Sequence, residues 1–62
     1  METKWVKTSN GRLMKIRAYD DGDCFIYEPS VFPKEPVAKT SSFADALATV
    51  ELITGGKVTK IE

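Results

Sequence analysis

Histidine is missing altogether from this chain. That absence removes the commonest general base, the commonest metal ligand and every Ser-His or Cys-His nucleophile arrangement. Cysteine occurs once, at Cys24, so no internal disulfide can brace a chain of a size that usually needs one in an oxidising compartment. A reducing cytoplasm is the expectation. Net charge is also lacking: nine Lys and Arg offset nine Asp and Glu, leaving no long-range field toward nucleic acid or an anionic membrane. Any electrostatic preference must be local. No apolar run approaches the roughly 18 residues of a membrane span, and Met1-Glu2-Thr3-Lys4-Trp5 has no apolar core of a secretory signal. The expectation is no membrane partner.

What remains is ordinary globular material. Hydrophobic residues make up 42% of the 62, with six aromatics among them (Trp5, Tyr19, Phe25, Tyr27, Phe32 and Phe43), which is too apolar for intrinsic disorder. One small domain over 1–62 is expected, with only a few kcal/mol of stability. Asn10-Gly11 and Asp21-Gly22 are the dipeptides that favour tight type I′ hairpin turns. They frame a three-strand meander over 4–9, 12–20 and 23–28. Pro29, Pro33 and Pro36 mark 29–36 as an irregular connector, followed by a short extended piece at 37–40. Ser42 then reads as a helix N-cap, with Asp45 three residues on and Phe43, Ala46, Leu47, Val50 and Ile53 at helical spacing. Gly55-Gly56 ends that helix, and a last strand occupies 57–61. The fold class expected is α+β: an antiparallel meander of two hairpins, one helix packed on the sheet, and a C-terminal strand, forming a two-layer sandwich.

A two-residue loop at Asp21-Gly22 pairs Asp20 with Asp23, Ala18 with Phe25, Ile16 with Tyr27 and Lys15 with Glu28. Met14, Ile16, Ala18, Phe25 and Tyr27 then line the core face. Lys15, Arg17, Tyr19, Cys24, Ile26 and Glu28 line the outer one. The same count at Asn10-Gly11 sets Trp5 beside Ile16 on the core face, with Lys4 and Val6 outward. It also opposes Lys4 to Arg17, a like-charge pair that costs stability.

Candidate sites compete with plainer readings. Asp20, Asp21 and Asp23 crowd one turn, where they can raise one another's pKa or hold a hard cation, but their spacing does not match a calcium loop and Asp-Gly is a turn signal by itself. Cys24 has acidic neighbours that oppose thiolate formation, which favours a structural thiol. Gly55-Gly56-Lys57 follows a helix where a phosphate loop precedes one, so a C-cap is the better reading. No catalytic, metal or cofactor set emerges, and the chain is not expected to be an enzyme.

Charge pattern says more than any motif. Residues 1–17 carry Lys4, Lys7, Arg12, Lys15 and Arg17 against Glu2, a net +4, and residues 18–31 carry Asp20, Asp21, Asp23 and Glu28, a net −4. The expected function is a non-enzymatic binding protein, of inhibitor or regulator type, that occupies a surface on a larger macromolecule. Lys15, Arg17, Tyr19 and Ile26 are its expected anchors. A protein partner is the first reading, because Tyr and Arg anchor interfaces. Nucleic acid is the alternative, through phosphate pairing and base stacking on the same face. A solvated face with cross-strand ion pairs, and a homo-oligomer formed through edge strands, are the remaining readings.

Two strands followed by a helix beginning Ser42-Phe43-Ala44-Asp45-Ala46-Leu47 and a Lys57-Val58-Thr59-Lys60-Ile61 ending are similar to the small phage-encoded inhibitors of host RNA polymerase, over about the last third of the chain. That resemblance implies basic residues on the last strand as partner contacts. Lys60 matches such a place, while Glu62 stands where another basic residue would be expected.

Overall fold

The structure, a computed structural model, describes residues 1–30 and 35–62. Among the described residues six elements follow one another: β1 (Glu2–Thr8), β2 (Leu13–Ala18), β3 (Cys24–Tyr27), β4 (Ala38–Thr40), α1 (Phe43–Thr54) and β5 (Val58–Ile61). The strands form one sheet in the order β4-β3-β2-β1-β5, with every neighbouring pair antiparallel. The extended piece near 37–40 is thus a true edge strand, and the Val37 N–H adds a further bond to the Ile26 carbonyl at 2.7 Å. Of the connector expected over 29–36, residues 31–34 lie outside the described residues.

The β4-α1-β5 unit carries the chain from one edge of the sheet to the other. The twelve residues of α1 rise about 18 Å, close to the roughly 19 Å covered by four strand spacings. The α+β two-layer arrangement follows from that match. Ser42 caps the helix as its sequence implies: its backbone is extended (φ −152, ψ 159) and its Oγ accepts from the Asp45 N–H. Gly55 closes the other end at φ 76, its N–H bonded to the Glu51 carbonyl, a conformation that costs glycine little.

Ala46, Val50 and Thr54 form the buried helix face. Against it lie Val6, Met14, Ile16, Cys24 and Ile26, all essentially inaccessible, with Phe43, Leu47 and Val58 at the margin. Ile53, expected in the apolar stripe, is 40% exposed instead; Thr54 takes the inner position by donating its hydroxyl to the Val50 carbonyl at 2.8 Å.

Both hairpins differ from the two-residue loops expected. The Tyr19 N–H bonds the Asp23 carbonyl and the Gly22 N–H bonds the Tyr19 carbonyl, while the Thr8 N–H bonds the Arg12 carbonyl and the Gly11 N–H bonds the Thr8 carbonyl. Each loop therefore has three residues, Asp20-Asp21-Gly22 and Ser9-Asn10-Gly11. In these loops the glycines take positive φ (Gly11 83°, Gly22 96°), and among the described residues no other residue type does. A type I′ turn would force Asn10 and Asp21 into that region as well; the three-residue loop places glycine there alone. One added loop residue slips the register by one and turns a whole strand over. Ala18 faces Cys24, Ile16 faces Ile26 and Lys15 faces Tyr27, so Cys24 and Ile26 enter the core while Phe25 and Tyr27 leave it. On the other side Val6 faces Met14, Trp5 faces Lys15 and Thr3 faces Arg17. Val6 is core, Trp5 is outward, and the Lys4–Arg17 clash does not arise.

Candidate binding face

With the helix covering one side of the sheet, the other side presents alternate residues of every strand. Cross-strand pairing sets them in rows. One row runs Trp5, Lys15, Tyr27; the next runs Thr3, Arg17, Phe25, Lys39; Lys60, Lys7 and Leu13 make a third. Cations and aromatic rings thus alternate across the sheet. The Lys15 ammonium lies 5.1 Å from the Tyr27 ring centroid and 5.8 Å from that of Trp5. The Arg17 guanidinium lies 5.4 Å from the Tyr27 centroid, and the Lys39 ammonium 5.6 Å from that of Phe25. Tyr19 meets Phe25 edge to face at 5.5 Å. Each cation–ring contact contributes about 0.5–1 kcal/mol where exposed, less than the roughly 1–3 kcal/mol of a base stacked on an aromatic side chain. A stacking ligand can therefore displace a lysine from its ring at a net gain.

Two of the cations are neutralised: Lys39 pairs with Asp23 at 3.5 Å and Lys60 with Glu62 at 3.4 Å. Among the described residues Lys7, Lys15 and Arg17 have no carboxylate partner, and the Arg17 Nε makes no hydrogen bond. Lys7 stands directly opposite Lys60, a like-charge placement that costs stability. The face is cationic although the whole chain is neutral.

Of the four anchors expected, Lys15, Arg17 and Tyr19 share this face. Ile26 does not: it is fully buried beneath the helix, because the three-residue loop turned β3 over. The expected Lys15–Glu28 pair is likewise absent, since Glu28 pairs with Arg12 at 2.5 Å. That guanidinium, with help from the Ser30 hydroxyl, holds the Glu28 carboxyl below its ordinary pKa against the opposing effect of burial. Trp5, Phe25 and Tyr27 belong to the face, whereas two-residue loops would turn them inward. For Trp5 the identifying signal is the Lys4–Arg17 clash, which a one-residue slip between β1 and β2 removes; β3 carries no such signal.

The three turn aspartates are engaged separately. Asp21 accepts the Asp23 N–H at 3.0 Å, Asp20 faces the N-terminal ammonium at 3.4 Å, and Asp23 holds Lys39. Among the described residues no group of three or more potential ligands is placed to hold a metal. Cys24, expected outward, is buried; burial raises its thiol pKa, with Asp23 adding to the shift and a hydrogen bond with Thr40 opposing it. Among the described residues no helix is long and apolar enough to cross a membrane. Comparison with protein-family models, with curated proteins and with solved structures finds no match to this chain.

Proposed function

We propose that this chain acts by binding, without chemistry of its own, and that the outer sheet face docks onto an anionic surface of a larger macromolecule. The observation that carries the reading is the alternation of cations and rings across β1, β2 and β3, with Lys7, Lys15 and Arg17 lacking carboxylates among the described residues. Lysine is depleted in protein–protein interfaces because its ammonium is strongly hydrated, so a lysine-rich face suits an anionic partner better than a neutral one. The missing histidine and the separately engaged turn aspartates support the absence of catalysis. A reducing cytoplasm suits a single buried thiol.

The test is affinity capture from a cell lysate, with and without nuclease, using wild type and a Lys15→Gln/Arg17→Gln double variant. Glutamine keeps much of each side chain's stem while removing charge, so the double variant should remain folded by circular dichroism. Loss of capture is expected. Undiminished capture by the folded variant would sink the assignment of this face.

A further inference from the structure

Resting on that reading, we infer that the outer face takes single-stranded nucleic acid, with bases stacked on Trp5, Tyr27 and Phe25 and phosphates held by Lys7, Lys15 and Arg17. Three observations point to this class. First, the rings are spaced for bases that are apart from one another. Phe25 and Tyr27 are two residues apart on β3, about 7 Å along the strand, and Trp5 and Tyr27 lie two strand spacings apart, about 10 Å. Bases in a duplex rise only about 3.4 Å per step and expose their edges, so duplex bases cannot sit on these rings. A single strand can splay its bases to match.

Second, the cations stand between the rings. Lys15 sits between Trp5 and Tyr27 in the same row, and Arg17 lies one row away beside Tyr27. A base on either ring brings its own phosphate within reach of them. Lys15 leaves the ring faces by rotating its flexible stem, whereas the ring positions are set by backbone pairing. Third, charge is concentrated here against the neutrality of the chain, including the Lys7–Lys60 opposition. A polyanion relieves that repulsion. An apolar or neutral protein surface would leave three ammonium and guanidinium groups desolvated without a partner.

Trp5 is the chain's one tryptophan, so its intrinsic fluorescence reports directly on stacking. Oligothymidylate and oligouridylate should quench it at low salt, and a duplex of equal length and inorganic polyphosphate should not. With three phosphate contacts, the plot of log affinity against log salt should fall with a slope of about −2, and Lys15→Gln should reduce that slope by about 0.7. Tyr27→Ala should weaken oligothymidylate binding by about 5-fold to 150-fold. Trp5→Ala, followed by anisotropy of a labelled oligothymidylate, should weaken binding by a similar factor, and this variant at a 41% exposed residue carries the test should Tyr27→Ala unfold.

Equal binding of duplex, or of polyphosphate at matched charge, overturns the inference by showing that charge alone is recognised. Absence of oligonucleotide binding overturns it too. If the folded double variant still loses a nuclease-resistant partner in that case, the binding face stands and only its ligand class falls; if capture is also unchanged, the face itself is wrong.

Discussion

The turn between β1 and β2 is tied to the far end of the helix, and that tie sets up a test of how the face is held in register. The Asn10 side-chain amide donates to the Thr54 carbonyl at 2.6 Å, and the Thr8 hydroxyl donates to the Asn10 Oδ1. A Cβ placed on Gly56 would lie 2.7 Å from that Oδ1 and 2.8 Å from the Asn10 Cγ. Gly56→Ala must therefore push the Asn10 side chain away, breaking both hydrogen bonds and orphaning a helix-end carbonyl. At about 0.5–1.5 kcal/mol per bond, the loss is about 1–3 kcal/mol. Gly56 does not have positive φ, so alanine also restricts the unfolded chain, which returns about 0.4–1 kcal/mol. Asn10→Ala should cost the same 1–3 kcal/mol or so by removing both bonds directly. In that background the clashing Cγ and Oδ1 are gone and only the Asn10 backbone nitrogen, 3.2 Å from the added Cβ, still has to give, so Gly56→Ala should cost clearly less than in wild type. Urea unfolding followed by Trp5 fluorescence measures the four corners of this cycle, and each kcal/mol corresponds to about 4–8 °C in Tm for a chain of this size. Additive costs would show that Asn10 is not what Gly56 accommodates, and the clamp would have to be abandoned.

Three further outcomes test the packing and the electrostatics. Ile26→Val should cost about 0.5–1.5 kcal/mol in urea unfolding, whereas Tyr27→Phe should stay within about 0.5 kcal/mol; the reverse order would mean that β3 faces the other way. Cys24 should resist a thiol reagent in the native protein and react on unfolding, since burial both shields the sulfur and raises its pKa; fast native labelling would contradict its place under the helix. Glu28 has a folded pKa lowered from 4.5, so its contribution is present above that value and lost as pH falls through the lower, folded one. Acid titration of stability should show this loss in wild type and less of it in Glu28→Gln, a small difference because Arg12 is 44% exposed and water screens the pair.

Local chemistry made the element list legible. Ser42 and Asp45 mark the helix start through an orphan N–H that needs an acceptor, Gly55 marks its end through a left-handed backbone, and the two Xaa-Gly dipeptides mark the turns. Faces were legible only where one side of a strand is charged. In β2, Met14, Ile16 and Ala18 alternate with Lys15 and Arg17, and burial of a cation is too costly for any other choice. In β3 the two alternatives are Cys24 and Ile26 or Phe25 and Tyr27, both apolar, so patterning does not choose between them.

The amino-acid sequence by itself determined the order of elements, the helix caps, the turn positions and the outward direction of Lys15 and Arg17, because each depends on groups a few residues apart. Tertiary structure decided the rest. Loops of three residues spare Asn10 and Asp21 a left-handed backbone, and the small helix face of Ala46, Val50 and Thr54 accepts aliphatic side chains in a thin layer while the larger rings go outward. Those two conditions involve groups from distant parts of the chain, and together they turned Trp5, Phe25 and Tyr27 onto the cationic face and carried Ile26 into the core.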